Sequence, residues 1–222
     1  MLNTYIFDFN GTMIFDAELQ QQSWSAILKQ SFNHVMTNAE FQTAVAGRNN
    51  QYTFDYFADT PLTTAEVTDL SAAKEQLYRD ICLKRPDKFQ LVAGLAGFLT
   101  TKQADGAKLN IATASEAENV DFFFDHLQLG QWFDRKQVVI NDGQLPGKPA
   151  PDMFLTAMTR VHGDRAHTAI FEDSPSGLLA ANHAQVSQTV LVHDPNTTPI
   201  TIPVDVTVDQ RITTYQTLPA DF

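Results

Sequence analysis

The chain has 222 residues, 43% of them hydrophobic and 18% charged, which is material for one large domain or a core carrying a smaller one and excludes general disorder. A formal net charge of −11 argues against a nucleic-acid backbone or an anionic membrane as partner, yet leaves room for a cation-lined cleft that takes a small anion. Cys82 is the single cysteine, so no internal disulfide forms; none of the six histidines has zinc-site spacing, and no apolar run approaches the ~20 residues of a membrane span. The first residues lack the pattern of a signal peptide, and the expected location is cytoplasmic.

In chain order, the first apolar run is Tyr5–Phe7, short and suited to a buried strand. From residue 16 to about 88, helical patterns follow one another with no strand between them. Trp24, Ile27 and Leu28 share a face, and Thr63 with Glu66 reads as a capping box. That box opens a helix carrying Val67, Leu70, Leu77 and Ile81, which Pro86 ends. Val92, Leu95, Ala96 and Leu99 make a further stripe closed by Gly106, followed by a strand at Leu109–Thr113. Ser115-Glu116-Ala117-Glu118 reads as a second capping box, ahead of Val120, Phe123, Phe124 and Leu127. Three more strands are expected at Val138–Ile140, Ala169–Phe171 and Thr189–Val192. Between the first two lies a helix that begins at Asp152, carries Met153, Ala157 and Val161, and takes Gly163 as its C′ residue. Strands alternating with helices predict an α/β core with a parallel sheet covered on both faces, built from 1–15 and 89–222. Residues 16–88 are expected to form an inserted all-α cap.

Four segments carry candidate chemistry. Asp8 follows the first strand directly, where open α/β sheets place their ligands, and Gly11 permits a sharp turn and a close approach. Thr113, the Ala114 amide and Ser115 lie between a strand and a helix start, an arrangement that suits a phosphoryl group. Lys148 is restrained between Gly147 and Pro149. Glu172 and Asp173 end another strand, and paired acids suit Mg²⁺. Taken singly, each segment has an ordinary alternative: a turn, an N-cap, a solvated lysine, another cap.

Taken in order, the segments Asp8–Thr12, Thr113, Gly147–Asp152 and Phe171-Glu172-Asp173-Ser174-Pro175-Ser176-Gly177 resemble the motifs of the haloacid dehalogenase superfamily. The likeness is to its β-phosphoglucomutase-like branch, which has a Rossmann-like core and a helical cap. The resemblance implies a Mg²⁺-dependent phosphatase of a small phosphorylated metabolite, working through an aspartyl-phosphate on Asp8. It implies Asp8, Asn10, Glu172 and Asp173 around the metal, and Thr113 and Lys148 on the phosphoryl oxygens. Gly11, Ala114 and Ser115 are expected beside the phosphate. Gly47-Arg48-Asn49 resembles the branch's substrate-specificity loop. The expected assembly is a monomer, with a dimer as the alternative.

The sequence departs from that pattern at Asn10, where the family's phosphatases and mutases carry a second aspartate for acid–base transfer. An amide keeps the size and the carbonyl but has no proton to exchange near neutral pH. Four explanations stay open: slow hydrolysis of substrates with good leaving groups, a phosphometabolite-binding protein without catalysis, a substitution introduced to trap a complex, and deamidation of Asn10-Gly11. Gln20 stands where the mutases carry a histidine, which counts against a phosphosugar mutase. The acid pair counts against a metal-free dehalogenase, and Lys29, Lys74 and Lys84 lack the motif of a phosphonatase-type hydrolase. Gln185 replaces the glycine with which such chains end the corresponding helix.

Overall fold

A computed structural model of the chain describes residues 1–45, 48, 50–219 and 222. In chain order the elements are β1 (Thr4–Phe7), α1 (Ala17–Phe32), α2 (Asn38–Glu40), α3 (Asn50–Phe57), α4 (Thr64–Lys84), α5 (Leu95–Ala104), β2 (Lys108–Ile111), α6 (Ala117–Leu127), α7 (Asp152–Arg160), β3 (Thr168–Glu172), α8 (Pro175–Ala184), β4 (Gln188–Val192) and β5 (Gln210–Ile212). The chain divides into two compact units: Met1–Phe15 with Gln90–Phe222, and Asp16–Phe89.

The first unit holds a five-stranded sheet of order β2-β1-β3-β4-β5, parallel throughout. This is the Rossmann-like arrangement, with β1 flanked by β2 on one side and β3 on the other. Side chains alternate along each strand and so sort into two layers. Ile6 and Ile170 face one way and pack with Met153, Phe154 and Ala157 of α7 and Ala180, Ala181 and Ala184 of α8. Tyr5, Phe7 and Phe171 face the other way into an aromatic layer: Phe7 stacks on Phe171 at 4.7 Å, with Phe98, Tyr215 and Phe222 around them. The Tyr5 hydroxyl, buried, donates to the Phe222 carbonyl at 2.7 Å, so the chain's last residue is tied to its first strand.

Several expectations require correction. Val138–Ile140 is not a strand; Val139 makes one isolated bridge to Ala112, and β2 itself ends at Ile111. The strand β5, with the short polar sequence Gln-Arg-Ile, gave no alternating signal. Ser115 does not cap α6: Glu116 occupies the N-cap with no side-chain cap hydrogen bond, and the Ser115 hydroxyl donates to Asn10. His162, at φ +56°, takes the left-handed C′ position of α7 rather than Gly163. Its amide donates to Thr159 and that of Gly163 to Met158, a Schellman pairing. Gly163 matters for closeness, since a Cβ there would stand 2.6 Å from Thr4 Cγ2. Gly106 does close α5 in the left-handed conformation, as its sequence position predicts.

Gln185 ends α8 at φ +55°, a conformation that costs an L-residue with a Cβ about 1–2 kcal/mol. Gln185→Gly is therefore expected to stabilise the chain by about 1 kcal/mol, partly offset by glycine's freer unfolded state. The readout is a thermal melt, with a rise of ~2–4 °C; an unchanged or lowered Tm would contradict it.

The second unit is all helical. Trp24, Ile27 and Leu28 of α1 meet Phe54 of α3 and Val67 of α4 in its apolar core. The Thr63–Glu66 capping box is present, and Thr37 with Glu40 forms another at α2 that the sequence reading missed. Of the expected stripe of α4, Val67 is buried and Leu70 and Leu77 are half-buried against the same apolar core, while the fully buried positions also include Ser71, Lys74, Tyr78 and Cys82. The inward face of the helix therefore carries polar groups beside its leucines. Lys74 Nζ donates to Gln20 Oε1 at 2.9 Å and Glu75 Oε1 at 3.0 Å, above the Trp24 ring, and the Tyr78 hydroxyl donates to Asp16 at 2.7 Å. Burial pushes the Cys82 thiol up to about 12, which keeps it protonated and inert. No helix among the described residues is long and apolar enough to cross a membrane.

Candidate active site

The register of the sheet gathers the candidate residues. Phe7 lies level with Ile111 on one side and Phe171 on the other. The residues that follow these strands therefore emerge at one edge, with neighbouring strands ~4.8 Å apart. The Asp8 amide donates to Phe171 O at 3.0 Å and the Ala112 amide to Phe7 O at 2.9 Å, continuing the ladder to that edge.

Asp8, Glu172 and Asp173 bring carboxylate oxygens within 4.8 Å of one another. Lys148 reaches them from the loop before α7. Its ammonium donates to Asp8 Oδ1 and, at 2.7 Å, to Glu172 Oε1. Burial opposes the charge on Lys148, but Asp8 and Glu172 outweigh it and hold the ammonium above its usual range. Lys148 Nζ also lies 4.6 Å from the centre of the Phe154 ring. The loop contains a cis Lys148–Pro149 bond, and His183 of α8 donates through Nδ1 to the Pro149 carbonyl at 3.0 Å.

Glu172 is fixed through its second oxygen, which accepts from the amides of Asp173 and Ser174, each at 2.7 Å, and from the Ser174 hydroxyl at 3.0 Å. Ser174 is also the N-cap of α8, bonded to the Gly177 amide, with Pro175 following it. Asp173 accepts from the Thr12 hydroxyl at 3.1 Å. Desolvation, and then the carboxylates of Glu172 and Asp8, hold Asp173 well above the usual carboxylate range. The Tyr215 hydroxyl donates to Thr12 O at 3.2 Å, and burial, with Asp173 and Asp8 close by, keeps it a neutral phenol.

Two glycines make this density possible. Gly11 turns at φ +81°, and a Cβ on it would overlap Asp173 Oδ2; its amide donates to Ile14 O at 2.8 Å. A Cβ on Gly177 would overlap the Glu172 carboxylate. Beside them the Ser115 hydroxyl donates to Asn10 Oδ1 at 2.7 Å, and the Ser115 amide donates to Thr113 Oγ1 at 3.1 Å. Thr113 is buried and Ala114 lies in an exposed bend. Arg48, in the helical unit, is exposed, with its guanidinium 4.7 Å from the centre of the Tyr52 ring. Gly47 lies outside the described residues.

The donor set fits a hard divalent cation. Three carboxylates lie beside the Lys148 ammonium, and every candidate ligand atom is oxygen. The sequence reading missed the supports Thr12, Gly177, Tyr215 and His183. Thr12 and Gly177 stood inside the motifs, but only the three-dimensional approach of Asp173 and Glu172 gives them a purpose. Tyr215 and His183 gave no signal.

The family description of haloacid dehalogenase-like hydrolases matches residues 5–191, and the chain belongs to that family. Among its relatives, protein CbbY of Rhodobacter capsulatus is 27% identical over 188 residues, 82% of each chain. A probable pseudouridine-5′-phosphatase of Drosophila melanogaster is 37% identical over 110 residues, 48% of this chain and 47% of its own. The crystal structure of a family IA, variant 3 hydrolase from Entamoeba histolytica matches with a TM-score of 0.90 at 26% identity, over 99% of this chain and 96% of that one.

Proposed function

We propose that the protein is a Mg²⁺-dependent phosphatase of a small phosphorylated metabolite, with Asp8 as nucleophile and residues 16–88 as its cap. The observation that carries this reading is the meeting of Asp8, Lys148, Glu172 and Asp173 at the carboxyl edge of the sheet. The relative named as a probable pseudouridine-5′-phosphatase supports the substrate class.

In this reading an Asp8 oxygen attacks phosphorus and the leaving group departs with the bonding pair. Thr113 and Lys148 hold the transferring oxygens and stabilise their developing charge. Ala114 and Ser115 line the phosphate side. Asp8, the Asn10 carbonyl and Asp173 would hold Mg²⁺, with Glu172 binding it or orienting one of its waters. When bound, the ion offsets the repulsion between carboxylate and phosphate. Arg48 belongs to the cap and meets a second anionic group of the substrate. Asn10 slows the enzyme toward poor leaving groups, since acid–base help is typically worth ~10²–10⁴ in rate.

The test is hydrolysis of an activated aryl phosphate and a phosphomonoester panel with and without Mg²⁺. Slow, Mg²⁺-dependent release of phosphate that disappears in Asp8→Ala is expected. A second reading, a phosphometabolite-binding protein without catalysis, is favoured by Asn10 alone. It takes the lead if the panel is silent while calorimetry with Mg²⁺ still detects binding.

A further inference from the structure

Asn10 bears unequally on the two halves of the proposed reaction. We infer that the chain takes phosphoryl groups from donors whose leaving group departs as a stable anion, acyl phosphates foremost, and retains them on Asp8 as a long-lived aspartyl-phosphate. This rests on the reading of Asp8 as the nucleophile.

In the first half, a bond forms between an Asp8 oxygen and phosphorus, and the bond from phosphorus to the donor oxygen breaks with its electron pair. An alkyl phosphomonoester would release an alkoxide, which must receive a proton as it leaves. An acyl phosphate releases a carboxylate, whose conjugate acid has a pKa of about 4, so no proton is needed at neutral pH. Asn10 is suited only to the second kind of donor. Its Oδ1 accepts from the Ser115 hydroxyl at 2.7 Å, and its amide has no proton to give up near neutral pH.

In the second half, a water oxygen attacks phosphorus and the bond to Asp8 breaks. Asp8 leaves as a carboxylate and requires no acid, but the attacking water must pass its proton to a base. The residue at the family's base position is an amide. The other groups gathered here do not substitute for it: Lys148 is an ammonium between two carboxylates, Glu172 is held by Lys148, two amides and a hydroxyl, Asp173 accepts from Thr12 and would be committed to Mg²⁺, and Thr113 and Ser115 offer only alcohol hydroxyls. Loss of general base help slows this half by ~10²–10⁴. Formation from an acyl phosphate keeps its rate, so the phosphorylated chain accumulates. The product is one carboxylate and one phosphorylated chain per encounter, with slow release of phosphate afterwards.

The experiment incubates the full chain and its Asn10→Asp and Asp8→Asn variants in Mg²⁺ with acetyl phosphate or with glycerol 1-phosphate. Intact mass follows the adduct, tandem mass spectrometry locates it in the unmutated chain, and released phosphate is measured in parallel. Acetyl phosphate is expected to give one phosphoryl adduct per chain, located on Asp8, labile to hydroxylamine and absent in Asp8→Asn. Its lifetime should shorten ~10²–10⁴-fold in Asn10→Asp. Glycerol 1-phosphate should give no adduct in the chain as it stands and steady turnover in Asn10→Asp. Two results overturn the inference while leaving the phosphatase reading intact. One is equal kcat/KM for the two donors without an adduct; the other is no adduct from acetyl phosphate while Asn10→Asp turns over. Silence of every chain with both donors removes the reading of Asp8 as nucleophile, and this inference with it.

Discussion

Lys148→Met is expected to destabilise the chain by roughly 3–5 kcal/mol in the absence of divalent cations. The ammonium is buried and bridges Asp8 and Glu172, with Asp173 beside them. Methionine keeps most of the volume and the contact with Phe154, so the loss isolates the charge. Phosphoryl transfer should fall by at least ~10² as a donor to the transferring oxygens disappears. The sign of the pH dependence follows from the same groups. The folded pKa of Lys148 lies above its usual value, so its stabilisation is fully present below about pH 10 and is lost only as pH rises through the folded pKa. Asp173 is already held above the usual carboxylate range, and the variant removes the neighbouring ammonium that opposes that shift. The charge on Asp173 is then disfavoured further, and the cost grows as pH rises. The stability deficit should therefore be larger at pH 7 than at pH 4, and millimolar Mg²⁺ should restore more of the melting temperature in Lys148→Met than in the unmutated chain. Equal Mg²⁺ responses in thermal melts would mean that the carboxylates do not depend on Lys148 for charge balance.

Gly177→Ala is expected to weaken divalent-cation binding by 10–100-fold and to lower stability by more than about 2 kcal/mol. Alanine inside a helix normally gains about 1 kcal/mol over glycine. Here the added Cβ would overlap the Glu172 carboxylate. That carboxylate cannot swing aside cheaply, because it accepts from two amides and a hydroxyl and pairs with Lys148. Gly97→Ala in α5 is the matched control, since nothing stands within 4 Å of its Cβ position; it should be neutral or stabilising. Calorimetric titration with Mg²⁺ and urea unfolding of the two variants decide the matter. Similar behaviour of both would show that Glu172 relaxes without cost.

The sequence was most legible where backbone chemistry is local. The strand ends at Asp8 and Glu172, the Thr63 capping box and the Gly106 terminus depend on residues within a few positions of one another, and all are present. Ser115 shows the limit. Its spacing from Glu118 satisfies a capping rule, but a partner 105 positions away, Asn10, takes the hydroxyl instead. The stripe of α4 was legible only in part for a related reason. Leu70 and Leu77 do lie against the apolar core, but Lys74 and Tyr78 are buried as well, held by Gln20, Glu75 and Asp16. Hydropathy cannot register polar groups that satisfy each other. At β5, three residues pair with β4 and only Ile212 is buried, too short a run for side-chain periodicity to register. Among the candidate ligands, residue type revealed the acids and the lysine, but not the missing Cβ atoms that let them approach.

The two ends of the core at which residues 16–89 depart and return are stitched to each other. Ile14 bridges Leu91 in antiparallel fashion, and the Val92 amide donates to Met13 O at 2.8 Å. For the sheet, the whole helical segment is thus a single closed excursion whose endpoints are already fixed. Lengthening an excursion between fixed endpoints costs little: doubling it adds only about 0.6 kcal/mol of closure entropy. The graft point can therefore accept a helical segment of another length while Asp8, a few residues upstream, keeps its place in the lattice of β1.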